Sequence, residues 1–411
     1  MIADKIECLQ PHVASSSQPA RSRGVCMLAT KFYASSDMGG GLEQSARRLF
    51  GELQRSGYRV IVLTRNYDRL PAREMIDGVE VHRLPVWGRS PVPASLSYLI
   101  QALWWLVRHQ SDYALMHGHQ SYAPATIGAL AKLLVRKPVE VKISTVDRFS
   151  ERAQLERLPL FWLRRALLRR VDSFIALHPA ARDEFAQLGI APTRIIHIPN
   201  GVPVPAEQAL EPAAQARSRS ALRLSGDPIA VFIGRLSEEK NLPVLIEAWR
   251  QVHAAHPSAQ LVLVGDGGSF RSVEAALRRQ VDALGLSAAV TFAGRVSDVL
   301  PYLLAANAFV LPSSTEGMSN ALLEAMAAGL PIVASDVPGN AALIESGSNG
   351  LLVPAGDARA LAEALRHIVT STDEAARLGR AARHMAAARY SIERVGATYL
   401  DLYARLSATC A

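Results

Sequence analysis

Two glutamates separated by seven residues are the strongest chemical signal in the sequence. Glu316 follows a short apolar run, and Glu324 lies in an apolar-periodic segment that begins near Ser319 and ends before Pro331. That periodicity predicts a helix, and a rise of ~1.5 Å per residue allows the two carboxylates to lie up to about 12 Å apart. They are too far apart to share a proton, but they suit a ligand with hydroxyls at both ends and phosphates between them. The alternative is that both are ordinary acids of a helix start and a helix surface.

The start of this predicted helix offers a seat for an anion. Free backbone N–H groups there point away from the helix, with about half a positive charge of helix dipole behind them. The residues that supply these groups are Met318, Ser319, Asn320 and Ala321. Because a diphosphate between two carboxylates that bind diols describes a nucleotide-sugar, we predict a ligand of that class.

A second segment, GRLSEEKNL, places two cations in one loop after a predicted strand. Gly234 lets the backbone approach a ligand, and Arg235 and Lys240 follow it. Lys240 is the only lysine after position 200. Cations at a strand end would stabilise the charge that develops on a departing diphosphate. The alternative is a solvated pair beside neighbouring glutamates.

Three further loops follow predicted strands. The first, Gly39 to Gly41, resembles a phosphate cradle through Gly40 and Gly41, but it lacks the G-x-G-x-x-G spacing of dinucleotide-binding proteins. The second carries His119 at the end of YALMHGHQ, where a histidine would either hydrogen-bond a reacting sugar or serve a structural role. The third region combines Gly265 with Arg295 and Val296, between which a flat base would fit, although both loops are equally consistent with simple turns.

Composition and length restrict the class of protein. At 411 residues the chain exceeds the ~250–300 that one core usually serves, so two domains are expected. Its three cysteines, without paired or metal-ligand spacing, argue against disulfides and structural zinc and fit a reduced cytoplasm. No apolar run approaches the ~20 residues that span a bilayer.

Positive charge is concentrated in the first half of the chain. The first 200 residues hold 27 Lys and Arg against 17 Asp and Glu, which suggests either a polyanionic or anionic-membrane partner or simply a solvated basic face. No nucleic-acid-binding signature accompanies the charge.

The elements that position these loops alternate between short apolar runs and longer amphipathic stretches from Gly24 onward. This pattern predicts an α/β protein with two doubly wound, Rossmann-like parallel sheets that face a cleft. Prolines between Pro199 and Pro205 exclude a helix and mark a boundary. We predict a loose tail at 1–20, an acceptor-side domain at 21–200, a nucleotide-sugar domain at 201–388 and a terminal helix at 389–411. Helices are expected at several segments, among them 95–109, 156–170, 319–328 and 391–408.

Taken in order, GGG, HGH, IPNGV, GRLSEEKN, VGDG and EGMSNALLEAMAAGLPIV resemble the family 4 (group 1) retaining glycosyltransferases of GT-B fold. The resemblance implies that Arg235 and Lys240 hold the donor diphosphate, that Glu316 meets the donor sugar and that Glu324 grips the ribose. It further implies that Gly40 lies near the phosphate and His119 beside the sugar. It implies transfer with retention of configuration and no obligatory metal, and the sequence contains no Asp-x-Asp.

The resemblance also implies a UDP- or GDP-linked donor, a hydroxyl acceptor and a terminal helix that crosses back to the first domain. Residues 144–147 depart from the family, because Ser-Thr-Val-Asp stands where many members carry a histidine. Two Trp- and Arg-containing segments, 95–109 and 156–170, either pack their apolar faces inside the first domain or dip into a membrane that carries a lipid-linked acceptor. Alternatives to transfer are a GT-B nucleotide-sugar epimerase and a non-catalytic nucleotide-sugar-binding protein.

Overall fold

The computed structural model describes residues 24–32, 41–66, 69–87, 91–143, 151–268 and 272–408. The predictions for the tail at 1–20, for Gly40 and for residues 144–147 lie outside these ranges. The described residues form two mainly parallel sheets, one after the other along the chain, as the sequence predicts.

The strands of the first sheet have nearly continuous apolar sequences, because helices cover both faces of the sheet. Its eight described strands are β1 Gly24–Leu28, β2 Arg59–Asn66, β3 Arg73–Ile76, β4 Val79–Pro85, β5 Leu115–His119, β6 Val139–Ile143, β7 Ser173–Ala176 and β8 Ile195–His197. They lie in the order β3-β4-β2-β1-β5-β6-β7-β8, and only the β3–β4 pair is antiparallel. The carboxyl ends of the parallel strands therefore meet at one edge.

Six helices of the described residues alternate with the strands of this sheet along the chain. They are α1 Gly41–Arg55, α2 Pro91–Arg108, α3 Ala123–Val135, α4 Glu151–Glu156, α5 Phe161–Leu168 and α6 Ala180–Ala186. The single helix predicted at 156–170 is wrong: α4 and α5 are separate helices with Pro159 between them. Proline lacks the N–H that a continuous helix needs, and Leu160 adopts a left-handed φ of 57° directly after it.

The second sheet begins after the proline-rich segment. Its six described strands are β9 Ile229–Ile233, β10 Gln260–Val264, β11 Val290–Gly294, β12 Ala308–Leu311, β13 Ile332–Ser335 and β14 Leu351–Val353, in the order β11-β10-β9-β12-β13-β14. Its helices are α7 Pro212–Ala221, α8 Leu242–Ala255, α9 Glu274–Ala283, α10 Leu300–Ala305, α11 Asn320–Ala327, α12 Pro338–Ala341, α13 Ala358–Thr370 and α14 Thr372–Met385. Helix α7 was not predicted from the sequence.

The last helix, α15 at Ile392–Ala408, returns to the first sheet as predicted. Tyr399 and Tyr403 are buried with side chains of α1 in the core on that face. Gly396 permits this approach, since a Cβ there would lie 2.8 Å from the Glu52 side chain. None of the helices in the described ranges combines the length and apolar character needed to cross a membrane.

Candidate active site

The loop after β12 and the loop after β9 meet through an ion pair. Lys240 ends a short turn of 3-10 helix, and its Nζ lies 2.5 Å from Oε1 of Glu316. The same oxygen accepts a hydrogen bond from Ser313 Oγ at 2.7 Å. Only 8% of the Glu316 side chain is exposed. Two of the predicted site residues are therefore in contact, and the side chains of both are largely buried.

Arg235, the other predicted cation, lies at the edge of this group. Its side chain is 59% exposed and donates to Glu239 at 3.0 Å. The guanidinium is therefore open to solvent, although its partner Glu239 is only 19% exposed. Lys240, by contrast, is 16% exposed and is paired with the buried Glu316 carboxylate.

Helix α11 begins where the sequence predicted. Ser319 is the N-cap, and its hydroxyl accepts from the backbone N–H of Leu322 at 3.3 Å. Asn320 and Ala321 form the first turn, so their amides lie at the positive end of the helix dipole. Met318 lies just before the cap and is half-buried against the hydrophobic core of the second sheet. This end of the helix can receive an anion.

The same helix start is tied to the first domain. Asn320 donates through Nδ2 to the Gly41 carbonyl at 2.6 Å, and its Oδ1 accepts from Asn200 Nδ2 at 3.0 Å. The backbone N–H of Asn200 points to the sulfur of Met318 at 3.1 Å. Gly41, the first residue of α1, therefore lies opposite the N-terminus of α11. These contacts join the two domains.

Glu324, one turn further along α11, is also partnered across the domains. Its carboxylate forms an ion pair with Arg48 of α1, and only 9% of the Glu324 side chain is exposed. Neither carboxylate of the glutamate pair faces bulk solvent. Sequence analysis did not identify Arg48 or Asn200, although Asn200 lies within the IPNGV motif that marks the boundary.

Three glycines bring the ends of neighbouring strands close together. Gly265 has a φ of 129°, donates to the Gly294 carbonyl at 2.8 Å, and would place a Cβ only 2.0 Å from the Gly234 carbonyl oxygen. Only glycine fits at position 265. The exposed Arg295 and the half-buried Val296 follow β11 beside it. These residues border a narrow surface at the carboxyl edge of the second sheet.

His119 ends β5 and is 3% exposed. Its ring packs against the His117 ring, with 4.6 Å between the ring centroids, because side chains two residues apart in a strand point to the same face of the sheet. Neither ring nitrogen of His119 has a hydrogen-bond partner among the described residues. Burial, followed by the charges of His117 and Lys142, lowers the pKa of His119 well below its usual value. At neutral pH the ring is uncharged and can both donate and accept.

A buried polar ladder supports His119 from the same face of the sheet. His117 Nδ1 lies 2.6 Å from the Tyr403 hydroxyl and 2.5 Å from Oε2 of Glu140. Lys142, paired in register with His119, donates to Asn200 Oδ1 at 3.0 Å and lies 3.3 Å from the Ser45 hydroxyl. The ladder therefore joins the sheet, the terminal helix and the interdomain residue Asn200. The described residues form no group of three or more acidic, His or Cys side chains that could hold a metal ion.

Comparison with known proteins adds to this geometry. Residues 215–385 match the family model "Glycosyl transferases group 1", and residues 40–201 match "Glycosyl transferase 4-like domain". The chain is 28% identical over 386 residues to alpha-D-kanosaminyltransferase of Streptomyces kanamyceticus, covering 87% of this chain and 97% of that protein. It is 34% identical over 177 residues to the lipopolysaccharide core biosynthesis glycosyltransferase LpsE of Rhizobium meliloti, covering 43% and 50%.

Among solved structures, HepE of Anabaena in complex with UDP-glucose superimposes with a TM-score of 0.75. The match has 20% sequence identity and covers 93% of this chain and 99% of that chain, so it supports the fold. The two family models together span most of the chain, one on each sheet, and their order agrees with the order of the motifs. The chain belongs to the group 1 glycosyltransferases of GT-B fold, enzymes that transfer sugars.

Proposed function

We propose that this chain is a retaining, metal-independent hexosyltransferase. It moves a sugar from a UDP- or GDP-linked donor to a hydroxyl of a saccharide, a lipid-linked saccharide or a small metabolite. The observation that carries the proposal is the Lys240–Glu316 pair, 2.5 Å apart beside the start of α11. Fixed positive charge and a buried carboxylate then lie at the point where a diphosphate and a sugar would meet.

In this proposal the diphosphate lies between α11 and the loop after β9. Lys240 and Arg235 neutralise its charge, together with the first amides of α11 at Ser319, Asn320 and Ala321. Because the chain supplies this positive charge itself, no metal ion is required for departure of the diphosphate. Gly41, already hydrogen-bonded to Asn320, closes the phosphate site from the first domain.

The two ends of the donor meet the two glutamates. Glu316 accepts hydrogen bonds from the sugar hydroxyls, and Glu324 from the ribose hydroxyls through the oxygen that Arg48 leaves open. The base lies along the surface made by Gly265, Arg295 and Val296. Neutral His119 hydrogen-bonds the sugar from the first domain.

The proposed reaction proceeds on one face of the sugar. The bond from the anomeric carbon to the diphosphate oxygen breaks, and its electron pair stays on that oxygen. The acceptor hydroxyl oxygen bonds to the anomeric carbon from the same side, and its proton passes to the departing diphosphate. The configuration is retained without a protein nucleophile.

The epimerase alternative is not supported, because both family models that match the chain describe glycosyl transferases. The non-catalytic alternative is likewise not supported, since the chain belongs to a family of enzymes.

The proposal includes a peripheral position at the inner face of the cytoplasmic membrane. Helix α2 buries Trp105 but exposes 65% of Trp104, and α5 buries Leu167 while exposing 70% of Trp162. Both helices therefore pack one apolar face inside the first domain, as the first alternative expects, and each leaves further apolar side chains exposed. Helix α3 contacts both α2 and α5, so the two exposed strips cover the same side of the sheet. Apolar side chains beside the Arg-rich end of α5 suit an anionic bilayer.

Donor binding is the direct test. Thermal-shift measurements with UDP, GDP and ADP and their sugars should identify one family of ligands that raises the melting temperature. The stabilising donor is then incubated with enzyme, and the anomeric configuration of the freshly released sugar is read by proton NMR before mutarotation. Retention is expected.

Glu316→Gln and Lys240→Met should each reduce turnover at least ~100-fold, whereas Glu238→Gln, at an exposed acid of the same loop, should not. Inversion, or near-normal rates in both variants, would overturn the proposal.

A further inference from the structure

A ring of hydrogen bonds joins the starts of α1 and α11 through the segment between the two sheets. Ser45 of α1 donates through Oγ to Asn200 Oδ1 at 2.8 Å. Asn200 Nδ2 donates to Asn320 Oδ1 at 3.0 Å, and Asn320 Nδ2 donates to the Gly41 carbonyl at 2.6 Å. Gly41 and Ser45 lie one turn apart on α1, so the ring closes through that helix. All three side-chain bonds run in the same direction, and such bonds strengthen one another.

Lys142 of β6 enters this ring from the core of the first domain. Its Nζ donates to Asn200 Oδ1 at 3.0 Å and to Ser45 Oγ at 3.3 Å. All three residues are buried, so bulk water does not compete for these bonds. Burial lowers the pKa of Lys142 to about 8. At pH 7 its side chain is therefore an ammonium, which donates hydrogen bonds and cannot accept one.

The two ends of the path from Lys142 to Gly41 fix the orientation of both amides. An asparagine side chain can turn either its oxygen or its nitrogen toward a neighbour. Lys142 only donates, so the oxygen of Asn200 must face it and the nitrogen is left for Asn320. The Gly41 carbonyl only accepts, so the nitrogen of Asn320 must face it and the oxygen is left for Asn200. The two requirements agree, and a reversed amide would place like atoms against each other.

Lys142 is the group that enforces this orientation from the first domain. The Ser45 hydroxyl can donate or accept, so by itself it would tolerate either orientation of Asn200. The ammonium removes that freedom. The result reaches the donor region, because the approach of α1 to α11 is close: a Cβ on Gly41 would lie 3.2 Å from Asn320 Nδ2.

We propose that Lys142 is a positioning residue for the donor diphosphate and acts through Asn200 and Asn320. It fixes the orientation of the two amides, and these hold the starts of α1 and α11 at the separation that the diphosphate requires. This role rests on the proposed function, which places the diphosphate beside the start of α11 with Gly41 opposite. The orientation of the amides rests on the described contacts alone.

The test is isothermal titration calorimetry of the full chain at pH 7 with UDP, UMP, GDP and GMP. The wild type should bind one diphosphate more tightly than the matching monophosphate. Lys142→Met and Asn200→Leu should each weaken binding of that diphosphate at least fivefold and change binding of the monophosphate less than twofold. The double variant should bind at most twofold more weakly than the weaker single variant, because both changes interrupt one path. Independent effects would multiply to at least ~25-fold.

Two matched variants control for loss of a buried amide and loss of a lysine. Asn349→Leu removes a buried asparagine of the second domain that donates to the Leu343 carbonyl, outside the ring. Lys132→Met removes a lysine of the first domain that pairs with Asp172. Both should keep the affinity for the diphosphate. If Asn200→Leu does not fold, Asn320→Leu, at a half-buried residue, interrupts the next bond and takes its place in the double variant.

Multiplied losses in the double variant would overturn the proposal, because Lys142 would then act independently of Asn200. Normal diphosphate binding by Lys142→Met, or equal losses for the diphosphate and the monophosphate, would overturn it as well. If the wild type binds neither UDP nor GDP, the proposed function fails and the diphosphate role falls with it.

Hydrogen exchange without nucleotide tests the ring separately from the proposed function. Lys142→Met and Asn200→Leu should each accelerate amide exchange at the start of α11 at least tenfold, because that helix end loses its connection to the first domain. Asn349→Leu should leave exchange there unchanged. Unchanged exchange in Lys142→Met would show that Lys142 does not hold the start of α11, whatever nucleotide the chain binds.

Discussion

Asn200 and Asn320 join the two domains through a side-chain hydrogen bond of 3.0 Å. Asn200 also accepts from buried Lys142, and Asn320 donates to the Gly41 carbonyl beside the proposed phosphate site. The buried ladder of the first sheet is thus connected to the start of α11 by one residue. The position of α11 relative to His119 depends on this connection.

The first prediction concerns that connection. Asn200→Ala should raise the KM for the donor at least fivefold, because α11 loses a contact that positions it. The variant should also lower the free energy of unfolding by about 1–3 kcal/mol, since a buried polar group loses its partner. Steady-state kinetics and urea unfolding measure the two effects.

Asn349→Ala is the control for a general loss of stability. Asn349 is buried in the second domain and hydrogen-bonds the Leu343 carbonyl at 3.0 Å, away from the donor loops. This variant should lose comparable stability while keeping the KM for the donor. If both variants raise KM alike, Asn200 has no specific positioning role.

The second prediction concerns Arg48 and Glu324. Removing one partner of a largely buried ion pair leaves an uncompensated charge, so Arg48→Met should destabilise the fold by on the order of 2 kcal/mol. Donor affinity should fall about tenfold, because in the proposed function Arg48 orients the Glu324 carboxylate toward the ribose. Arg47→Met, at the preceding position of α1, is the neighbouring control, because it removes a cation that lies 3.9 Å from exposed Asp77 and over the Phe32 ring, whereas the ion pair with Glu324 belongs to Arg48. Tighter donor binding in Arg48→Met would show that Arg48 competes with the ribose instead.

The third prediction is a pH dependence of stability. Burial lowers the pKa of Lys142 from 10.5 to about 8, and the Glu140 carboxyl opposes part of that lowering. The unfolded chain therefore binds more protons at this site between pH 8 and 10.5, and the contribution of Lys142 to stability rises with pH across that window. Its other buried neighbours are His117, His119 and Tyr399.

The difference in unfolding free energy between the wild type and Lys142→Met isolates this contribution from other titrating groups. It should increase in favour of the wild type by about 2 kcal/mol between pH 8 and 10.5. Urea unfolding at half-unit pH intervals measures it. A difference that stays constant with pH would contradict the assignment of a lowered pKa to Lys142.

Local patterns were sufficient for much of the fold and for part of the site. The Ser319 cap and the helix around Glu324 follow from residues within one helical turn of each other, and both are present in the structure. The break at Pro159 was also a local signal, which the apolar spacing on either side outweighed in the sequence analysis.

The remaining site features depend on how the domains close. Arg48 and Glu324 are 276 residues apart, and Asn200 and Asn320 are 120 apart. No local spacing predicts such pairs, since they depend on the relative position of two sheets. The contrast between buried Trp105 and exposed Trp104 likewise depends on the rotation of α2 against α3.

The fourth prediction concerns the exposed tryptophans. Trp104 and Trp162 lie on helices that cover one side of the first sheet, next to arginines. Flotation with liposomes should show binding to vesicles with anionic lipid and weaker binding to neutral vesicles, because charge and apolar burial act together. Trp104→Ser with Trp162→Ser should reduce the bound fraction at least fivefold, since each tryptophan loses its apolar contact with the bilayer. Trp87→Ser, at a half-exposed tryptophan outside these helices, should change the bound fraction little.

Two results would contradict this prediction. Absence of binding to both vesicle types would remove the membrane from the proposed function. Unchanged binding of the double variant would assign membrane binding to another surface of the protein.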